Sequence, residues 1–423
     1  MMGEIIETPR FSCALGGALS TITAIDGHVP IIHGGPGCGV QLFYGQSFTS
    51  GFRGSGWIGG VSVPSTNTYE KEVVFGGEPR LKEQIEKTIE IIDGKRYVVL
   101  TGCTSELIGD DISGVLREFE GKSVAYAETA GFRGSSYNGY EILLSSLIDQ
   151  VVKEKPKEER LVNIFGIVPS QDVFWKGNLD EIERILKSIG LEVNTLFNGK
   201  PVEDLSAAAL NIVLSPWTGV QLAQKLEEQF GIPYVVNSLP VGSDETNAFL
   251  EKVGNALGID VSEVTAKEEE KTYKAIDRVA DFIIDFDVQP RFATITDSNY
   301  AIAINKFFVN EFGWIPSLAA ISDNIPNEYR DSVKKELNFK NTLSPEVLFA
   351  SDSGKIWGAV EKEAPEFIFG SSVDKDLAAK IGAAKLSGSF PITDRVVLDR
   401  GYAGYKGTIN IIEDALSEIT APF

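Results

Sequence analysis

Tyr97-Val98-Val99-Leu100-Thr101-Gly102-Cys103-Thr104-Ser105-Glu106-Leu107-Ile108-Gly109-Asp110-Asp111 fixes the fold class. An apolar, β-branched run stops at a Thr-Gly break, and a cysteine then opens a stretch of helical character. This reads as a strand, a tight loop and a helix start. The same grammar occurs earlier, where Val29-Pro30-Ile31-Ile32 runs into His33-Gly34-Gly35-Pro36-Gly37-Cys38-Gly39. Strand-to-helix loops at the carboxyl edge of a parallel sheet are where α/β folds hold ligands. All three cysteines, Cys13, Cys38 and Cys103, and both histidines, His28 and His33, fall between Thr8 and Asp111. Three thiols delivered by such loops can meet at one point.

Outward from that stretch the strand–helix alternation continues. A helix with apolar Leu81, Ile85, Ile89 and Ile92 is expected over 80–92, a strand over 123–126 and a helix over 140–152. The charged, proline-containing stretch 152–160 is a boundary. Strands follow at 161–168, 190–197, 209–214 and 233–236, separated by helices at 178–188 and 219–230. A helical connector over 261–287 leads to strands at 291–296, 317–321, 346–349 and 367–369, with a helix over 300–311. This series predicts three doubly wound, parallel-sheet (Rossmann-like) α/β domains, at 1–155, 156–288 and 289–423, the last with a C-terminal return segment.

With 423 residues, 43% of them hydrophobic, the chain has ample material for such cores. The formal charge of −21, without a compensating basic cluster, argues against nucleic acid or an anionic membrane as a partner. No apolar run suits a membrane span, and residues 1–10 carry no secretory signal, so a cytoplasmic location is expected. Gly35-Pro36-Gly37-Cys38-Gly39 lacks the Gly-x-x-x-x-Gly-Lys-Ser/Thr phosphate loop, and Pro36 does not suit a dinucleotide fingerprint.

The plainest reading of each cysteine is a small buried apolar residue. Three thiols, two of them in glycine-rich loops after strands, weaken that reading. A disulfide is disfavoured by the expected compartment. Zinc takes four ligands, commonly in close pairs, whereas the spacings here are 25 and 65 positions. A cysteine nucleophile needs a base, and no third orienting group stands beside His28 or His33. An iron–sulfur cluster remains, bound by thiolates with neighbouring glycines admitting backbone N–H groups to its sulfurs. Four thiolates are the usual set for a cubane, so either one ligand is not cysteine or a second polypeptide completes the site.

The spacing of Cys13, Cys38 and Cys103, with His33-Gly-Gly-Pro-Gly-Cys38, Val74-Phe-Gly-Gly77 and Cys103-Thr-Ser-Glu-Leu-Ile-Gly-Asp-Asp111, resembles nitrogenase component 1. The likeness runs through nearly the whole chain. Ala209-Leu-Asn-Ile-Val-Leu-Ser-Pro-Trp217, Gly388-Ser-Phe-Pro-Ile-Thr-Asp-Arg395 and Gly404-Tyr-Lys-Gly407 are most similar to the beta (K-type) subunit. The resemblance implies that Cys13, Cys38 and Cys103 supply half of an interfacial iron–sulfur centre. That centre would be P-cluster-type (8Fe–7S) or a 4Fe–4S cubane, shared with an alpha-type partner in an anaerobic heterotetramer of two alpha-type and two beta-type chains. It also implies that Phe75 lies at the docking surface of an ATP-dependent iron protein. Electrons would pass from that reductase through the shared cluster to an active site in the partner, which explains the missing nucleotide loop.

Three departures qualify the likeness. The family's cluster-binding serine, just before the Phe of its Ser-Phe-x-Gly-Ser loop, is matched here by Gly131. Gly131-Phe132-Arg133-Gly134 itself resembles the alpha-type subunit. No cysteine or histidine follows Cys103, so the residues that hold the alpha subunit's cofactor are absent. The missing serine tilts the reading toward a nitrogenase-like reductase, such as the methylthio-alkane reductases. A tetrapyrrole-type reductase with an interfacial 4Fe–4S cluster and a non-catalytic cofactor-assembly scaffold are the alternatives.

Other residues carry plainer readings. His28 and His33 are either proton relays beside the site or satisfied structural groups. Arg53 and Arg133, each within Gly-Phe-Arg-Gly, are expected in surface or structural pairing rather than lining a cavity. Asp110-Asp111 is expected to cap a helix, and the five tryptophans to pack.

Overall fold

β-Branched and aliphatic runs bounded by glycine, proline or polar turns become parallel strands, and amphipathic stretches between them become crossover helices. The computed structural model describes residues 8–51, 63–285, 288–339 and 344–421, so Arg53 and Trp57 lie outside the described residues. The first unit comprises α1 (Ala14–Ala24), β1 (His28–His33), α2 (Pro36–Thr49), α3 (Glu70–Phe75), α4 (Glu78–Ile91), β2 (Arg96–Thr101), α5 (Cys103–Ile108), α6 (Ile112–Leu116), β3 (Val124–Ala127) and α7 (Ser136–Val151). The second contains β4 (Glu158–Phe165), α8 (Trp175–Ser188), β5 (Glu192–Asn194), β6 (Ala208–Leu214), α9 (Val220–Phe230), β7 (Tyr234–Asn237), α10 (Ser243–Leu257) and α11 (Ser262–Asp285). The third contains β8 (Arg291–Thr296), α12 (Ser298–Asn310), β9 (Ile315–Ile321), α13 (Asn327–Glu336), β10 (Glu346–Phe349), α14 (Ser353–Glu363), β11 (Phe367–Gly370), α15 (Lys375–Ile381) and β12 (Ala384–Ser387). The last helix is α16 (Gly404–Thr420).

All strand pairs are parallel, in sheets ordered β1-β2-β3, β5-β4-β6-β7 and β10-β9-β8-β11-β12. The second and third orders are those of flavodoxin-like and Rossmann sheets. In the first sheet the period of two splits neighbouring side chains between faces. Ile32, Val98 and Leu100 pack toward α1 and α7, while Val29, Ile31, Tyr97 and Val99 pack toward α4 and α6. Burial on both faces is why these strands read as continuous apolar runs rather than alternating ones.

Some boundaries differ from expectation for local reasons. α7 starts a turn early because Ser135 and Asn138 form a capping box. The strand expected over 190–197 shortens to β5 because Asn194 Oδ1 accepts the Leu196 N–H at 2.9 Å, with Leu196 at φ +67°. The C-terminal helix α16 packs on β12 at the third sheet's edge and also lies against α8, α10 and α11 of the second unit. Among the described residues, no helix is long and apolar enough to cross a membrane.

Helix α1 is the element the sequence conceals, since its Gly16-Gly17 pair argues against a helix. Those glycines are what its packing needs. A Cβ at Gly17 would overlap the Ser136 backbone, and one at Gly139 would sit 2.7 Å from the Ala14 carbonyl carbon and 2.9 Å from Ala18 N. Two helix backbones therefore touch, and their first residues come together.

Candidate functional site

Each cysteine owes its position to one of these junctions. In the β1–β2 register His33 pairs with Thr101, so both strands end at the same edge. Gly102 N donates to His33 O at 2.8 Å, and the virtual Cβ of Gly34 lies 3.2 Å from Gly102 Cα. Side chains could not pass there, so both loops turn into their helices at once. Cys38 lies in the first turn of α2 after Gly35 and Pro36, and Cys103 is the first residue of α5. Cys13 is the N-cap of α1 and forms an isolated antiparallel bridge with Ser135, where Ala14 N donates to Gly134 O at 2.9 Å.

Gly131 marks where the thiols approach one another. A Cβ placed there would lie 3.2 Å from Cys103 Sγ and 3.5 Å from Cys13 Sγ, so both sulfurs surround one point. Burial pushes the Cys38 thiol up, and the neighbouring Cys103 and Cys13 add to the shift. Cys103 and Cys13 thus meet beside Gly131, and Cys38 lies within electrostatic reach of both. They are not core residues: Cys13 and Cys38 are half-buried and Cys103 is exposed. Among the described residues, no three His, Cys, Asp or Glu side chains are close enough to hold one metal ion. Thiolates are the ligands that an iron–sulfur group takes. The Gly131 N–H, 3.2 Å from Cys103 Sγ, supplies the kind of backbone donor such a group uses.

The histidines separate. His33 is buried, its ring bonded to Thr66 Oγ1 at 3.1 Å and Asp110 Oδ2 at 2.9 Å. Burial pulls its pKa down, against the Asp110 hydrogen bond that pulls it up. His28 lies at the opposite end of β1, its Nδ1 3.3 Å from Asp26 O. Asp110 also accepts the Gly77 N–H at 2.8 Å, and Asp111 caps α6 through Gly114 N. The Asp110 bond fixes the turn after α3, whose last residue, Phe75, is 80% exposed beside exposed Val74. Leu107 on α5, next to α3, and Phe132 extend the exposed apolar surface near Cys103.

Arg133 is structurally paired, its Nε 2.6 Å from Glu106 Oε2 and its Nη2 2.6 Å from Glu128 Oε2. Glu106 is the residue that sequence reasoning passed over. It sits one helical turn beyond Cys103 inside the opening motif, a spacing that places it beside the same loop. A second unforeseen cluster lies at the carboxyl ends of β4, β6, β8 and β9, where Asp172, Asp297 and Asp323 share a small chamber. Burial and the Asp323 charge push Asp297 up to about 7. The free space is about 20 Å³, enough for a single water.

With this geometry the comparisons converge. Residues 13–420 match the family model of nitrogenase component 1 type oxidoreductases. The chain is 26% identical to the vanadium-iron protein beta chain of nitrogenase from Trichormus variabilis, covering 95% of this chain and 91% of that one. It is also 26% identical to the iron-molybdenum cofactor biosynthesis protein NifE of Methanococcus maripaludis, covering 96% and 82%. A solved structure titled nitrogenase Cp1 at pH 6.5 superposes with a TM-score of 0.82 at 20% identity, over 99% of this chain and 94% of that one. The chain belongs to the nitrogenase component 1 family, whose members bind iron–sulfur clusters.

Proposed function

We propose that this chain is the beta-type subunit of a nitrogenase-like two-component reductase and works in electron transfer. Cys13, Cys38 and Cys103 hold half of an iron–sulfur centre of the P-cluster type, and an alpha-type partner supplies the rest. An ATP-dependent iron protein docks near Phe75 and delivers electrons through that centre to the partner's active site. The complex is a cytoplasmic heterotetramer built on chains divided at 1–155, 156–288 and 289–423. One observation supports the reading: the Cys13 and Cys103 thiols meet beside Gly131 on a solvent-exposed edge, with Cys38 in their neighbourhood and too few ligands for a closed site.

Anaerobic co-purification with the alpha-type partner, followed by iron and sulfide analysis and electron paramagnetic resonance, tests this. A P-cluster-type centre gives about eight irons per pair and a cubane about four. Cys38→Ala and Cys103→Ala are expected to lower bound iron and loosen the pair. Wild-type iron in both variants refutes the ligand assignment. The resemblance to NifE favours a second reading, a cofactor-assembly scaffold. Turnover with a matched iron protein separates the two, since a scaffold releases a cofactor precursor instead.

A further inference from the structure

The loop over 128–134 reaches Cys103 because a carboxylate holds it there. Glu106 Oε1 accepts the Thr101 hydroxyl at 2.5 Å and the Ala130 N–H at 2.9 Å, and Oε2 accepts Arg133 Nε at 2.6 Å. One side chain therefore binds the end of β2 and the residues on both flanks of Gly131. Thr101 adds two bonds of its own, Thr129 N to its hydroxyl at 2.8 Å and Thr129 Oγ1 to its carbonyl at 3.0 Å. The far end of the loop is tied to α1 by Ala14 N on Gly134 O. Held at both ends, the loop directs the Gly131 N–H onto Cys103 Sγ.

We propose that Glu106 is a positioning residue: it fixes the Gly131 N–H on the Cys103 sulfur and so raises the reduction potential of the iron–sulfur group bound there. This rests on the assignment of Cys103 as a ligand. An N–H donated to a ligating sulfur stabilises the reduced cluster more than the oxidised one, because the added electron increases charge on sulfur. The Glu106 side chain is only 9% exposed, which protects its three bonds from competition by water. Arg133 is 39% exposed and is shared with Glu128, so Glu106 rather than the arginine is the fixed point.

The test is a redox titration of the anaerobic alpha/beta complex, poised with dithionite and followed by electron paramagnetic resonance. Glu106→Ala removes both acceptor oxygens and with them all three bonds. It is expected to lower the midpoint potential by about a tenfold shift in the reduced-to-oxidised ratio at fixed poise, or 59 mV for a one-electron couple. Glu106→Gln keeps an acceptor for Ala130 and is expected to restore most of that shift. Glu128→Gln, which touches only the outer arm of Arg133, is expected to leave the potential at the wild-type value. A purely structural role predicts lost iron with an unmoved potential in the molecules that keep it, and that result overturns the proposal. Should Glu106→Ala retain no cluster, amide deuterium exchange of 128–134 in the Glu106→Asp complex, whose shorter side chain cannot reach Thr101, Ala130 and Arg133 together, decides. Faster exchange at Gly131 with a lowered potential supports the proposal, and wild-type values of both refute it. A wild-type complex without iron or sulfide strikes down the ligand assignment itself, whereas normal iron with an unmoved potential strikes down only the role of Glu106.

Discussion

Gly139→Ala sets two effects of known size against each other. On helix propensity alone the substitution stabilises α7 by up to about 1 kcal/mol. The packing opposes it, because the added methyl overlaps the carbonyl of Ala14 and lies 2.7 Å and 2.9 Å from other backbone atoms of α1. Backbone cannot rotate away, so the helices must separate by roughly 1.5 Å to restore an ordinary contact of about 3.5 Å. Even a gap of about 0.5–1 Å forfeits a quarter to a half of the dispersion attraction between facing atoms. The atoms concerned belong to Leu15, Leu19 and Ile22 on α1 and Tyr140, Leu143 and Leu147 on α7, all in one buried cluster. Overpacking of this kind costs about 1–3 kcal/mol, and lost contact along two helices places this case at the upper end or beyond. The net expectation is destabilisation by about 2 kcal/mol or more, read as a lower urea midpoint at unchanged m. The same shift moves Cys13 off its bridge to Ser135, so iron per alpha/beta pair should fall as well. A variant as stable as wild type, with full iron, refutes both the packing argument and the claim that the α1–α7 crossing places Cys13.

Further expectations follow from other contacts. Arg10 is buried against Asp374, with bonds of 2.6 Å and 2.8 Å, and also reaches Ser371. Arg10→Met leaves that carboxylate unpaired and should cost about 3–5 kcal/mol in thermal or urea unfolding. Burial pushes Asp374 up, but the Arg10 bonds outweigh it and hold the carboxyl below its usual range. The stability from this pair is therefore present above the unfolded carboxyl pKa of about 3.9 and disappears as pH falls through the lower folded value, which acid titration of wild type against Arg10→Met would show. Asp297, at about 7, behaves oppositely. Between about pH 4 and 7 the folded chain holds a proton that the unfolded chain releases, so stability falls as pH rises through that window. Asp297→Asn, which keeps an acceptor for the Asn299 and Tyr300 N–H groups, should flatten the slope; an unchanged slope over that window would exclude Asp297 as its source. Phe75→Ala should weaken capture of the iron protein while leaving bound iron at the wild-type level, and binding measured against a matched reductase checks it.

Strands β1 to β11 were legible because each is an apolar run closed by glycine, proline or a polar turn, whereas β12, Ala384-Lys385-Leu386-Ser387, is too short and too polar to stand out. The Cys38 and Cys103 loops were legible for the same reason, each following a strand whose end the β1–β2 register aligns. Cys13 carries no such signal, since its place depends on a helix crossing between residues more than a hundred positions apart. The Glu106 contacts to Ala130 and Arg133 are likewise tertiary, although the motif that contains Glu106 was in view. His33 and Arg133 met their plainer readings, one satisfied by Thr66 and Asp110, the other paired with Glu106 and Glu128. The acidic chamber was invisible because its aspartates come from three loops, after β4, β8 and β9, that only the tertiary fold brings together.

The meeting of α1 and α7 bears on the order of biogenesis. A zinc finger finds its ligands within a short peptide, and metal capture there is the folding event. Here Cys13 reaches Gly131 through the α1–α7 contact rather than through a short local loop, so on the proposed ligand assignment a folded chain would precede the cluster. Chelation should then empty the vessel without collapsing it, and whatever machinery delivers iron and sulfide must recognise a native surface rather than a nascent strand of peptide.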